Sequence, residues 1–359
     1  MTLSPSLLLG EADFALCRAF FEPRAAAADR GDADFCEAAA FLARELLGDS
    51  AGPAADPNCN LERVASTLAT VAWFDMGSAF SLWCQQMVLE YLAHAPEGSD
   101  ARLVALPALR SGERVGTSAM AAPMAHYVSG APLTLRATPD GDGGYRISGA
   151  VPWASNLTPE DTIVVSVAAR EGADPVIFAI PIESEGLAIG QFSPLIGMQG
   201  TLSASLTFDN APVPRGWVIS EDFGNFMSAV RPIFLLLQSS YCWGLAARSA
   251  VESEGAIRGI SEVFRSEVEG AVARVEKQAE QLLTAARARC QGETIPHLLD
   301  LRIEAARLAI ECTSLESRVV GGRSYIANCD TARRLREALF LPIQAPTEGQ
   351  LRWERSQFA

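Results

Sequence analysis

Apolar residues recur three and four positions apart along the first third of the chain, which places them on one face of an α-helix. The segments 12–21, 34–47 and 61–94 follow this spacing and are rich in Ala, Leu and Glu. The stretch 48–60 contains Gly, Pro and Asp, so it is predicted to be a loop. Residues 1–115 are therefore predicted to form an N-terminal helical domain.

The pattern changes near Gly116 to short runs of β-branched and aromatic residues, several of which alternate between apolar and polar positions. Turn-forming residues, such as those at 140–144, and prolines separate these runs. Residues 116–222 are therefore predicted to form a middle β domain, either a barrel or a sandwich. The predicted strands are 133–136, 145–148, 163–168, 176–180, 187–192 and 202–208.

Long helical patterns return near Phe223 and continue to the end of the chain. They cover 226–254, 260–289, 295–320 and 330–340, with short loops between them. Several long helices joined by short loops are typical of an antiparallel bundle. Residues 223–359 are therefore predicted to form a C-terminal four-helix bundle, and the predicted fold class is α+β.

Composition narrows the class of function. The 359 residues include 29 basic and 43 acidic side chains, a net charge of −14, which argues against a nucleic-acid partner. Lys277 is the only lysine, so a lysine-containing P-loop is excluded. No apolar run reaches the roughly 18 residues that span a bilayer. Residues 1–9 lack the basic segment of a signal peptide, so no membrane association is expected.

Cysteine and histidine usage predicts reduced thiols and no metal site. The eight cysteines are scattered without CxxC spacing, which is typical of a cytoplasmic protein. The three histidines, His94, His126 and His297, do not have metal-ligand spacing. The sequence has no GxSxG turn, so a Ser-His-Asp hydrolase is not expected.

Four motifs follow one another along the chain. Residues 106–116 read LPALRSGERVG and residues 208–214 read FDNAPVP, on either side of the predicted β domain. Between them, residues 147–156 read ISGAVPWASN, and residues 318–325 in the predicted bundle read RVVGGRSY. In this order the motifs resemble those of the acyl-CoA dehydrogenase family of flavoproteins, over about residues 103–352. The resemblance implies the same helical, β, helical architecture.

The resemblance implies an FAD cofactor and two residues beside its ring. Trp153 would lie near the isoalloxazine, and Ser155 would replace the family threonine whose hydroxyl meets the reactive end of the flavin. Fixed polar groups near the ring stabilise the charge that a reduced flavin gains. The alternative for Trp153 is an ordinary core aromatic in the sheet.

The family's flavin loop corresponds to residues 121–127, where only the proline is kept. The backbone amides of Met120 and Ala121 are candidate flavin donors, and Tyr127 stands where the family has a small hydroxyl residue. His126 would lie beside the flavin as a proton donor, a phosphate partner or a substrate contact. A surface histidine is the alternative.

The glycine pair in the bundle resembles a family loop that approaches the ADP half of a flavin bound across a subunit boundary. Gly321 and Gly322 would allow the close backbone approach, unless they form an ordinary helix stop. Arg318 is a candidate ligand of the flavin phosphates, and Tyr325 is a candidate substrate contact. The implied assembly is a homodimer or homotetramer, with a hetero-oligomer as the alternative.

The catalytic base departs most from the family pattern. In the family a glutamate removes the proton next to a thioester carbonyl, in a dry pocket that tunes its pKa. Here Ala345 stands at that position, and residues 230–232, at the other family location, contain no carboxylate. Glu348 is the candidate base. The alternative is that Glu348 begins the final helix, because Pro346 and Thr347 are typical of a helix start.

Three hypotheses for the function follow, of which the first is favoured and the other two are the alternatives. The first is FAD-dependent α,β-dehydrogenation of an acyl thioester, bound to CoA or to a carrier protein. The second is a flavin-dependent monooxygenase or oxidase on the same fold, which needs no base at Ala345. The third is a catalytically degenerate subunit that pairs with an active homologue.

Overall fold

The computed structural model describes residues 7–50, 59–192 and 194–358, so part of the predicted loop 48–60 lies outside the described residues. The first region is helical. Asp75 separates its two longest helices, because the backbone of Asp75 is extended and its carboxylate accepts the backbone N–H of Ser78 at 3.3 Å. The helices are α1 (Glu11–Phe21), α2 (Ala25–Arg30), α3 (Phe35–Phe41), α4 (Leu61–Phe74), α5 (Met76–Leu92) and α6 (Leu106–Ser111).

The middle region is an eight-stranded sheet with one helix, α7 (Ala121–Ser129), between its first two strands. Strands β6, β7, β3, β2, β4, β5 and β8 lie side by side in that order, and β1 runs parallel to β4. The strands are β1 (Val115–Ser118), β2 (Leu135–Pro139), β3 (Tyr145–Ala154), β4 (Thr162–Arg170), β5 (Ala173–Pro181), β6 (Leu187–Ile189), β7 (Ala204–Val213) and β8 (Val218–Ser220).

The last region is helical again. Its first helix is 34 residues long and begins after Asp222, whose carboxylate caps it. This helix packs against α4 and against the next two long helices of the chain. The helices are α8 (Phe223–Ala256), α9 (Arg265–Arg287), α10 (Ile295–Val320), α11 (Asp330–Ala338) and α12 (Glu348–Ser356). The predicted α+β fold class, with helices on both sides of a β region, is confirmed.

Alternate residues of β4 face two different apolar cores. Ile163, Val165 and Val167 join the core formed by α4, α5, α8, α9 and α10. Val164 and Ala168 point to the opposite face and join a core made by the strands themselves. Neighbouring residues of a strand face opposite sides of the sheet. The buried strand β4 therefore packs against the helices with one face and against other strands with its opposite face. The candidate site lies at this junction.

Within the described part of the chain, none of the helices is both long enough and apolar enough to cross a membrane.

Candidate functional site

A cavity of about 510 Å³ lies where the sheet, α5 and the C-terminal helices meet, and we call it the junction cavity. The sheet side contributes Trp153 and Ser155, and the start of α7 contributes Met120 and Ala121. The structure therefore brings together four of the residues that the sequence suggested for flavin binding. The helices and the turn after α11 contribute mainly apolar side chains, including Phe80, Trp83, Phe234, Leu339 and Phe340.

Trp153 lies near the end of β3 with 44% of its side chain exposed. Its neighbours Val151 and Ala154 are buried in the sheet core, whereas the indole opens into the junction cavity. A large, half-exposed aromatic face in a cavity offers a stacking surface for a flat ligand. The sequence alternative, a core aromatic, does not describe this position.

The Ser155 hydroxyl begins a chain of three hydrogen-bonded hydroxyls. Ser155 Oγ lies 2.7 Å from Ser203 Oγ, which lies 2.9 Å from Thr201 Oγ1. Thr201 donates its only hydroxyl proton to the carbonyl of Met198 at 2.8 Å. Each hydroxyl has one proton, so Ser203 donates to Thr201 and Ser155 donates to Ser203. The remaining lone pairs make Ser155 a hydrogen-bond acceptor.

Met120 and Ala121 lie at the N-terminus of α7. The first N–H groups of a helix have no partner within the helix, and the helix dipole makes this end positive. The hydrogen-bond donors at this helix start are backbone N–H groups. Small residues and Pro123 are therefore compatible with a ligand-binding role for this segment.

Tyr127 and His126 lie on α7 but do not line the junction cavity. The Tyr127 ring lies 5.7 Å from the guanidinium of Arg231, a buried residue of α8. His126 Nδ1 lies 2.7 Å from the carbonyl of Ala131, and its ring packs 5.5 Å from Phe223. The phosphate, proton-donor and substrate roles suggested for these two residues stay predictions.

The candidate flavin and substrate residues of the C-terminal helices also lie outside the junction cavity. They are Arg318, Gly321, Gly322 and Tyr325. They occupy the end of α10 and the short 3-10 helix after it, where Arg318 pairs with Glu267 at 2.6 Å and Tyr325 is 95% exposed. A second cavity of about 520 Å³ adjoins this segment. Its charged lining consists of Arg248, Arg258, Arg323, Arg334, Glu252 and Asp330.

Glu348 is the first residue of α12 and does not line the junction cavity. Its carboxylate pairs with Arg307 at 2.8 Å, and Thr347 with Gln350 forms a capping box around the helix start. Ala345, at the family's base position, does line the cavity. Among the described residues that line it, none carries a carboxylate.

Among the described residues, the ionisable side chains of the cavity wall are one arginine and one cysteine. Arg336 is the one charged residue of the described lining, and it pairs with Asp29 of α2. Burial raises the pKa of the Cys84 thiol far above its usual value, so this side chain stays neutral. Across the described ranges, no cluster of three or more His, Cys, Asp or Glu side chains could hold a metal ion.

A polar network beneath Gln344 and Ala345 was not anticipated from the sequence. Arg302 of α10 is completely buried and donates to the Oε1 atom of Gln238 at 3.0 Å and to the carbonyl of Leu341 at 2.8 Å. Gln238 in turn donates to the carbonyl of Ala345 at 3.1 Å. The sequence signal was an arginine on the apolar face of α10, four residues after Leu298.

Comparison with known proteins identifies the class of this fold as that of the acyl-CoA dehydrogenases. No family model matches the sequence, and no curated protein matches it. A glutaryl-CoA dehydrogenase from Mycobacterium smegmatis, in complex with FADH2, is 15% identical and superposes with a TM-score of 0.85. The match covers 99% of this chain and 95% of that chain.

Two further solved structures extend the comparison. Butyryl-CoA dehydrogenase from Megasphaera elsdenii is 16% identical over 98% of both chains, with a TM-score of 0.80. KijD3, in complex with FMN and a dTDP-linked amino sugar, is 22% identical with a TM-score of 0.79. That match covers 99% of this chain and 93% of KijD3. At these identities the likeness shows a shared fold.

Proposed function

We propose that this chain is a flavin-dependent oxidoreductase that holds the flavin ring in the junction cavity. The observation that carries the proposal is the meeting of Trp153, Ser155 and the start of α7 in one cavity of an acyl-CoA dehydrogenase fold. A bound flavin supplies two-electron transfer and reaction with oxygen. The residues present fit the ring: an indole face to stack on, backbone donors, and a hydroxyl acceptor.

The direction of the Ser155 hydrogen bond supports this assignment. The hydroxyl chain leaves Ser155 Oγ as an acceptor. A reduced flavin carries an N–H at its reactive end, so Ser155 Oγ would stabilise the reduced state as an acceptor. The positive end of α7 favours the negative charge that reduction adds to the ring.

FAD is the proposed form of the cofactor, and the proposed assembly is a homodimer or larger. FAD has an adenosine diphosphate half that FMN lacks. The second cavity contains Arg258 and Arg323, which suit two phosphates of a flavin that reaches over from another subunit, whereas its Arg248 and Arg334 pair with Glu252 and Glu316. Trp153 and Gly321 of one chain would then serve two different cofactors.

Within this class, a reaction that uses oxygen is our first candidate. Dehydrogenation of an acyl thioester requires a base beside the substrate, and none of the described lining residues is a carboxylate. A monooxygenase or oxidase does not need that base. KijD3, which binds FMN together with a sugar nucleotide, indicates that the fold accommodates ligands other than acyl-CoA.

Dehydrogenation of an acyl thioester is the second candidate. Aromatic and aliphatic side chains dominate the wall of the junction cavity, which suits an acyl chain. Glu348 lies three residues after Ala345, and its ion pair with Arg307 is partly exposed, so it holds the carboxylate weakly. Glu348 would have to leave the start of α12 to reach the cavity.

One anaerobic experiment separates the two candidates. The flavin-loaded protein is mixed with a panel of acyl-CoA thioesters, and its visible absorption is followed. We expect no bleaching, together with fast reoxidation of chemically reduced flavin when oxygen is admitted. Bleaching that is lost in Glu348→Gln would establish the dehydrogenase instead. Failure to bind any flavin would favour the degenerate-subunit hypothesis.

A further inference from the structure

Among the described residues, Arg302 is a buried cation without an anionic partner. It has no exposed surface, and no carboxylate of the described residues lies within 4.0 Å of it. Its acceptors are neutral oxygens of Gln238, Leu341 and Gln344, and no described residue accepts a hydrogen bond from its Nη1 atom. Burying a charge in this way opposes folding unless something compensates it. Within the described part of the chain, only neutral oxygens compensate this charge.

Gln344 connects this charge to the junction cavity. Its Oε1 atom accepts the Tyr241 hydroxyl and lies 3.5 Å from Arg302 Nη2. A guanidinium only donates, so the amide cannot turn its NH2 group towards Arg302. Burial raises the pKa of Tyr241 well above its usual value, so this hydroxyl keeps its proton and donates.

The other end of the amide is left without a partner. Gln344 is only 5% exposed, it lines the junction cavity, and its Nε2 atom is buried with no hydrogen bond to any described residue. An unsatisfied buried donor costs free energy that a suitable acceptor would recover. The orientation of the donor is fixed before any ligand arrives.

We propose that Gln344 Nε2 binds a negatively charged oxygen of the substrate in the junction cavity, with Arg302 as the positioning residue behind it. The substrate class is an organic anion with an apolar body, because aromatic residues such as Phe80, Trp83 and Phe234 form much of the wall. The inference rests on the proposed function only in naming this ligand the substrate. Arg302 acts through Gln344, by holding the amide and by adding positive potential.

The probes are hexanoate and its neutral analogue hexanamide, which have the same chain and nearly the same shape. Binding is measured by isothermal titration calorimetry, on the protein with and without flavin. We expect hexanoate to bind roughly tenfold more tightly than hexanamide, because a hydrogen bond to a charged acceptor is stronger than one to a neutral acceptor. Equal affinities, or no measurable binding of either probe, would overturn the proposal.

Gln344→Glu is the decisive variant because it keeps the shape of the side chain. The new carboxylate can still accept from Tyr241 and Arg302, so the protein is expected to fold with an unchanged or higher melting temperature. Hexanoate binding should weaken ten- to hundredfold, since a donor is replaced by a negative charge. Gln350→Glu is the matched control: it adds the same charge on α12 and preserves the capping box with Thr347.

The outcomes for the anion and for the flavin are separate. Selective hexanoate binding by a protein that takes up no flavin would refute the proposed function and leave the anion site standing. Flavin uptake with unchanged hexanoate affinity in Gln344→Glu would refute the anion site alone. Arg302→Met provides a second measurement, in which the preference for hexanoate over hexanamide should become smaller.

Discussion

At the scale of single residues, Glu337 shows burial outweighing a nearby cation. Its carboxylate is almost completely buried and lies 2.8 Å from Arg333. Burial nevertheless raises the pKa of Glu337 to about 7. The Arg333 guanidinium lowers this pKa, whereas the buried Asp75 carboxylate raises it further. Asp29 also faces the group and acts in the same direction. The folded protein therefore binds a proton here that the unfolded chain releases.

This group makes stability fall as pH rises. Its stabilising contribution is complete below the ordinary pKa of 4.5 and is lost as the pH approaches about 7. In Glu337→Gln we expect the unfolding free energy to change less over this window, by up to about 1 kcal/mol per pH unit. Urea unfolding at a series of pH values measures this pH dependence of the unfolding free energy. Glu97→Gln, at an exposed position, is the control. An identical slope in wild type and Glu337→Gln would contradict this account.

At the scale of elements, Asn156 ties the end of β3 to two other elements. Its Nδ2 atom donates to the carbonyl of Ser81 on α5 at 3.0 Å and to the carbonyl of Gly116 on β1 at 3.1 Å. The residue follows Ser155 directly and has a positive φ of 62°, which asparagine tolerates better than most residues. The two hydrogen bonds of Asn156 therefore fix where Ser155 lies in the junction cavity.

Asn156→Ala is therefore expected to lower the unfolding free energy by about 2–4 kcal/mol, because two buried hydrogen bonds are lost and alanine is strained at this φ. Asn156→Gly is the matched variant, since glycine removes only the hydrogen bonds. It should be about 1 kcal/mol more stable than Asn156→Ala. Urea unfolding measures both. Equal stability of the two variants would mean that the backbone conformation relaxes.

At the scale of the whole molecule, the proposed cofactor would join two subunits. FAD would use the junction cavity of one chain and the arginines near Gly321 of another, whereas FMN would use only the first. We expect Arg323→Ala to weaken FAD binding about tenfold and to leave FMN binding unchanged. The exposed Arg352→Ala is the control. Fluorescence titration of both flavins checks this, and an equal loss for FAD and FMN would contradict the shared site.

The sequence predicted those features that depend on short stretches of chain. The order of helical and β regions, and a strand that begins at Tyr145, follow from local patterns. That strand runs on to Ala154, beyond the predicted 145–148, so it includes Trp153, and Ser155 follows it directly. The resemblance predicted a flavin loop at residues 121–127, whereas the structure has the helix α7 there. Pro123 does not distinguish the two, because proline is also compatible with the first turn of a helix. Gln344 could not be predicted as a fixed donor, since its partners Tyr241 and Arg302 lie 103 and 42 residues away in the chain.

The central claim is that a flavin ring stacks on Trp153 in the junction cavity, and a flavin titration of two tryptophan variants tests it most directly. Trp153 and Trp353 are similarly exposed, at 44% and 48%, but only Trp153 lines the cavity. We expect Trp153→Ala to weaken flavin binding roughly tenfold while Trp353→Ala binds as wild type does. Equal affinities in all three proteins, or no flavin binding by the wild type, would contradict the account.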